Sequence, residues 1–136
     1  MVKVTTRTIV FRVTAAVVFL QLAIGGLVTF GFLESGVHII TGLIVLVLTI
    51  AALAIALASK PRFRPLVGLS VGMVVLVVIQ GILGFITLGS GSQVVAWVHL
   101  VTALGIYGMA VAGAFMATMG DRMARGGPDM HGRGVG

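Results

Sequence analysis

The chain has 136 residues, of which 59% are hydrophobic and 9% charged, with a formal net charge of +6 and a mean hydropathy of +1.23. A soluble domain carries about 25% charged residues, so this composition excludes a water-soluble globular domain and predicts a membrane protein. The sequence contains no cysteine, which excludes disulfides, thiolate ligands and iron–sulfur clusters.

Four apolar stretches, taken in chain order, predict four transmembrane helices. About 20 helical residues cross the roughly 30 Å of bilayer hydrocarbon, and each stretch exceeds that length: 9–31, 37–57, 66–88 and 94–119. The first stretch is too long for a cleaved signal peptide. The connections are short, which predicts that successive helices pack antiparallel as an all-α four-helix bundle in the lipid bilayer.

The positive charges lie in three places along the chain. Lysine and arginine occur before the first span, between the second and third, and after the fourth, whereas the other two connections contain neither. The positive-inside rule therefore predicts a multi-pass cell-membrane protein with both termini cytoplasmic. This topology accounts for the net charge, so nucleic acid is not expected as a partner. Residues 1–120 are predicted to form the bundle, and the glycine-rich segment 121–136 a disordered cytoplasmic tail.

One segment of the sequence occurs in two similar copies. The string GLVTFG at 26–31 recurs as GFITLG at 84–89, and each copy is followed by a histidine, His38 or His99, with a threonine three residues later. These matches predict two tandem helical hairpins, and chance similarity between apolar helices is the alternative. A parallel repeat has its pseudo-two-fold axis along the membrane normal, which would place helices two and four diagonally across the bundle. The two repeats cover about 9–58 and 66–119.

His38 and His99 are the candidate metal ligands, and both are predicted near the outer face. Ionisable residues within membrane spans usually face the bundle interior. A structural zinc site needs four ligands and a catalytic one three, whereas this region offers two imidazoles and the Glu34 carboxylate. A heme needs one axial ligand above its plane and one below. Two symmetric histidines therefore favour a heme iron, and an interhelical hydrogen bond is the alternative for each ring.

Small and hydroxyl-bearing residues near the histidines are candidate cofactor contacts. Glycines on spans one and three would let a flat ring approach the backbone, or would simply allow close helix packing. The threonines that follow the histidines could bond a neighbouring imidazole or their own helical turn. These residues are Gly25, Gly26, Gly81, Gly84, Thr41 and Thr102, with Gly26 and Gly84 the matched pair of the repeat.

Four further side chains complete the predicted site. Gln21 and Gln80 form a near-symmetric pair that could line the floor of a cofactor pocket or bond across helices. Trp97 is either an interfacial anchor or a contact to the edge of the heme. Glu34, four residues before His38, is either an exposed loop residue or a catalytic group that orients His38 or moves a proton.

Two stretches resemble the heme A synthase family of membrane oxidoreductases. They are QGILGFIT at 80–87 and WVHLVTAL at 97–104, and the first half, from Gln21 to His38, is a weaker match. Typical members have two four-helix bundles, each with a heme between histidines on its second and fourth helices. One bundle binds heme O, whose methyl group is oxidised to the formyl group of heme A, and the other binds heme B. The resemblance implies that His38 and His99 are axial ligands.

The resemblance implies a compact, single-bundle form with several departures. Glu34 matches a catalytically important glutamate that usually lies three residues before its histidine, Ile39 replaces a common arginine, and the outer-loop cysteine pair is absent. Association of two copies could restore the eight-span plan, so we expect a homo-oligomer or association with a respiratory or heme-biosynthesis complex. The alternatives are a b-type cytochrome that only transfers electrons and a cofactor-free small subunit of a membrane complex.

Overall fold

The computed structural model describes residues 5–60 and 62–125, which form four long helices and no strand. Each helix is long and apolar enough to cross a membrane. The predicted all-α fold with four such helices is therefore confirmed. The helices are α1 (Thr6–Thr29), α2 (Ser35–Ala58), α3 (Arg64–Ser90) and α4 (Gln93–Arg125).

Each helix packs against two others, so the four form a ring. Helices α1 and α3 both pack against α2 and α4, whereas over the described residues the backbones of α1 and α3, and those of α2 and α4, do not come close to each other. Helices α2 and α4 are therefore diagonal partners, as predicted. This places the helices that carry His38 and His99 on opposite sides of the bundle axis.

The α1–α2 connection (residues 30–34) and the α3–α4 connection (residues 91–92) lie at the same end of the bundle, which we call the hairpin end. The opposite end, where α1 begins and α4 finishes, is the termini end. Both short connections contain a glycine with left-handed backbone, Gly31 with φ 76° and Gly91 with φ 62°. The N–H of Gly91 donates to the carbonyl of Thr87 and closes the last turn of α3.

The hydrophobic core fills the termini end and the middle of the bundle. Counted from the termini end, the last buried side chain of each helix is Val18 in α1, Val45 in α2, Gln80 in α3 and Ile106 in α4. The hairpin third of the bundle, where both histidines lie, therefore has only half-buried and exposed side chains among the described residues. This end is less tightly packed than the rest.

A cluster of polar side chains links α1 and α4 through hydrogen bonds at the termini end. Asp121 accepts from Arg7 Nη2 at 2.5 Å and from Thr8 Oγ1 at 2.6 Å, and also from the hydroxyl of Thr5. Thr5 in addition caps α1 by accepting from the Thr8 N–H at 3.3 Å. The predicted tail begins at Asp121, but α4 continues to Arg125, and residues 126–136 lie outside the described part of the chain.

Candidate functional site

His38 and His99 face each other across the bundle diagonal at the hairpin end. His38 lies in the first turn of α2 and His99 in the second turn of α4, and both side chains are half-buried. Their ring centroids are 6.1 Å apart and the ring planes are inclined by 71°. The fold therefore brings together the two residues that the sequence repeat singled out.

A glycine lies against each imidazole. A β-carbon at Gly25 of α1 would be 3.0 Å from Cε1 of His38, and one at Gly84 of α3 would be 3.3 Å from Cε1 of His99. By contrast, a β-carbon at Gly26 or Gly81 would meet nothing within 4 Å. Of the candidate glycines on α1, Gly25 is the one beside His38, and the predicted cofactor contact at Gly26 stays a prediction. Gly25 and Gly84 make room for the imidazoles themselves.

Gln21 holds His38 from the neighbouring helix. Its Nε2 donates to the backbone carbonyl of His38 at 2.9 Å and lies 3.1 Å from the ring nitrogen Nδ1. Its Oε1 accepts from the hydroxyl of Thr41. Both polar atoms of the Gln21 amide are therefore hydrogen-bonded. Thr41 donates to Gln21 and does not contact a second imidazole.

Gln80 makes the corresponding backbone contact to His99. Its side chain is only 9% exposed, and Nε2 donates to the His99 carbonyl at 2.7 Å. Thr41 and Thr102 each donate to the carbonyl four residues earlier in their own helix, at 2.9 and 2.7 Å, but only Thr41 is also bonded to the neighbouring glutamine. Oε1 of Gln80 and Nδ1 of His99 are buried and have no hydrogen-bond partner within the described structure.

Trp97 and Glu34 lie on the outside of this arrangement. The Trp97 side chain is 66% exposed, which suits an aromatic ring at a membrane interface. Glu34 is the exposed N-cap residue of α2 and makes no side-chain capping bond. Neither residue is part of the hydrogen-bonded network around the two imidazoles.

The 6.1 Å separation and 71° inclination match an edge-to-face contact between the two rings, and the separation also matches two ligands of one metal ion. Metal–nitrogen bonds of about 2 Å on either side of an ion would hold two imidazole centroids roughly 6 Å apart, close to the 6.1 Å observed. Over residues 5–60 and 62–125, no group of three or more His, Cys, Asp or Glu side chains could hold a metal. A cofactor that brings its own equatorial ligands, such as a heme, suits a site with only two protein ligands.

Comparison with known proteins finds no matching family model, no similar curated protein and no similar solved structure.

Proposed function

We propose that this chain is a membrane heme protein of the heme A synthase type, with His38 and His99 as the axial ligands. The observation that carries the proposal is the 6.1 Å separation of two imidazoles on diagonal helices. The absence of buried hydrophobic side chains at the hairpin end, among the described residues, supports it, because a macrocycle needs space that a filled hydrophobic core would not leave. The bound group would be heme B, heme O or both, with heme O as the substrate.

The proposed topology places the hairpin end, and with it the heme site, at the outer face of the cell membrane. Arginine and lysine cluster at the termini end, where Arg7, Arg62 and Arg64 lie, and the hairpin connections contain neither residue. The positive-inside rule then puts both termini in the cytoplasm. We further propose that two tandem hairpins form the bundle, supported by the matched amide–backbone bonds of Gln21 and Gln80.

In the proposed reaction the protein holds and orients the cofactor. When bound, the heme would supply the redox chemistry that oxidises a methyl group towards a formyl group, with an external oxidant such as dioxygen taking up the electrons and dioxygen or water supplying the oxygen atom. The imidazoles of His38 and His99 would hold the heme, and the bond from Gln21 to the backbone carbonyl of His38 restrains the first turn of α2. The exposed carboxylate of Glu34, at the start of α2, is the proposed acceptor for protons released at the outer edge of the site.

The proposed assembly is a homo-oligomer or a complex with other proteins of respiration or heme biosynthesis. Heme propionates usually pair with arginine or lysine, and the hairpin connections contain neither. A partner chain of different sequence would supply the missing cations, because a second copy has the same connections without arginine or lysine. Two copies would together have eight spans.

A b-type cytochrome is the second candidate function. The specific observation in its favour is that both histidines are held through their backbone carbonyls by buried or half-buried amides. Two restrained axial ligands leave no open position on an iron, which suits electron transfer rather than oxidation of a bound substrate. The chain would then carry heme B permanently.

Absorbance and pigment extraction test these proposals directly. The full chain is purified from cells with and without a supply of heme O, and the bound pigment is identified by mass. We expect a Soret band that both His38→Ala and His99→Ala alter, and conversion of heme O to oxidised products. Heme B alone, with no conversion of added heme O, would establish the cytochrome. A wild-type protein with no Soret band would overturn both and favour a cofactor-free subunit.

A further inference from the structure

A cleft at the termini end is lined by more cations than carboxylates. It has a volume of about 690 Å³ and lies where α1 begins, α2 ends and α4 finishes. Arg7 of α1 contributes one positive charge, Lys60 and Arg62 of the α2–α3 connection contribute two more, and Asp121 contributes one negative charge. The described residues therefore give this cleft a net charge of +2, at the end of the bundle opposite the two histidines.

The carboxylate in the cleft does not cancel its attraction for an anion. Asp121 accepts from the Arg7 guanidinium at 2.5 Å and from the Thr8 hydroxyl at 2.6 Å, so its charge is matched and its oxygens are occupied. The contact between Arg7 and Asp121 is the one ion pair in the described part of the chain. Lys60 and Arg62 are both exposed, and neither is paired with a described carboxylate. These two cations are therefore available to an anion in the cleft.

Arg62 is held in position by the end of α2. Its Nε donates to the carbonyl of Leu57 at 3.1 Å, and Leu57 lies in the last turn of α2, where carbonyls have no intrahelical partner. A guanidinium that is bonded through Nε still has the donors of both terminal nitrogens, which match the oxygens of a phosphate group. Arg62 is therefore anchored to the protein and able to bind an anion at the same time.

The rest of the cleft wall is largely apolar and includes Ile55, Phe63 and Met123. Cations and apolar wall meet at the end of helices long enough to span a membrane, which is the depth at which lipid headgroups join their acyl chains. Topology alone accounts for a basic end, but a soluble anion would contact only the cations, whereas a phospholipid would contact both surfaces. We therefore propose that the cleft binds the phosphodiester headgroup of an anionic phospholipid, independently of any heme.

Lipid titration of the purified full chain in detergent, followed by native mass spectrometry, tests the proposal. Phosphatidylglycerol should bind about tenfold more tightly than phosphatidylcholine, whose headgroup has no net charge. Each cation beside an anionic lipid contributes about fivefold in affinity, so Lys60→Gln/Arg62→Gln should weaken phosphatidylglycerol binding roughly 25-fold. The control Arg12→Gln/Arg122→Gln removes the same charge from residues of α1 and α4 that do not line the cleft, and it should change binding by less than about threefold. Equal losses in the two double variants, or equal binding of the two lipids, overturn the proposal.

A second comparison keeps every charge and therefore separates a shaped cleft from a basic surface. Ala58→Phe places a ring in the cleft, and Ala54→Phe places the same ring at an exposed position one turn earlier on α2, outside the cleft. Ala58→Phe should weaken phosphatidylglycerol binding about tenfold, and Ala54→Phe should leave it unchanged. Equal effects of the two changes contradict the proposal. Inorganic phosphate should not displace the lipid, because it makes no contact with the apolar wall; displacement would assign the cleft to a soluble phosphate compound and overturn the lipid.

Discussion

The α-carbon of Gly25 on α1 lies so close to the imidazole of His38 on α2 that a β-carbon there would be 3.0 Å from Cε1. Gly84 and His99 repeat this relationship on the other side of the bundle, at 3.3 Å. Each imidazole therefore sits against the backbone of a neighbouring helix. A side chain at either glycine would require the imidazole to shift, more at Gly25 than at Gly84.

Gly25→Ala is expected to destabilise the bundle and displace His38, whereas Gly26→Ala is its matched control. Overpacking costs about 1–3 kcal/mol, against a helix-propensity gain of up to about 1 kcal/mol for alanine. A β-carbon at Gly26 meets nothing within 4 Å, so that variant should be neutral or slightly stabilised. Thermal unfolding in detergent measures both. Gly25→Ala melting no lower than Gly26→Ala would contradict the close approach.

Replacement of the two glutamines by methionine should have unequal effects on stability. Gln21→Met removes the bond to the His38 carbonyl, the contact with the ring and the bond from Thr41. Gln80→Met removes one bond and, with it, an unpartnered buried oxygen. At about 1 kcal/mol for each neutral hydrogen bond, Gln21→Met should cost roughly 1–2 kcal/mol more. Chemical unfolding of the cofactor-free protein is the measurement, and equal losses would contradict the expectation.

The Asp121 cluster is expected to stabilise the termini end. Asp121→Asn keeps the shape of the side chain but removes the charge that pairs with Arg7 at 2.5 Å. Hydrogen bonds to charged groups contribute about 1.5–3 kcal/mol, so a loss of about 2 kcal/mol is expected. The control is Arg122→Gln, a charge change at an exposed neighbour, which should stay within about 0.5 kcal/mol. Equal effects of the two changes would show that the cluster contributes little.

The proposed topology predicts which introduced thiols an impermeant maleimide reaches in intact cells. The chain has no cysteine, so one introduced cysteine is the only target. Ser90→Cys and Ser59→Cys are closely matched, because each serine hydroxyl donates to the carbonyl four residues earlier at 2.7 Å. Ser90→Cys should be labelled from outside and Ser59→Cys only after permeabilisation. The reverse pattern would invert the orientation.

Two features of the site follow from sequence patterns and are found in the structure. The apolar stretches predict four helices, and short connections force sequential neighbours together, so α2 and α4 become diagonal. The histidines at matching positions in the repeat then lie opposite each other at similar depth. The predicted functional roles of these residues stay predictions until heme binding is measured.

Other features of the site could not be read from the sequence. The repeated six-residue string places Gly26 and Gly84 at equivalent positions, whereas in the structure the glycine beside His38 is Gly25. The spacing from glutamine to glycine is the same in both halves, Gln21 to Gly25 and Gln80 to Gly84, but spacing alone does not show which glycine meets an imidazole. The apolar stretch ends before Asp121, so the sequence predicts that this residue lies in the tail. In the structure Asp121 is hydrogen-bonded to Thr5, Arg7 and Thr8 at the start of α1.

The sequence by itself determined the number of helices, their apolar character and the presence of two histidines on alternate helices. These properties depend on the length and composition of each segment, since a membrane span must be long and apolar whatever it packs against. Only the tertiary structure decided which glycine meets each imidazole and why Thr41 bonds Gln21 as well as its own helix, whereas Thr102 bonds its own helix alone. Those contacts depend on the rotation of each helix about its axis, which is set by side-chain packing between neighbouring helices and differs between two halves of similar sequence.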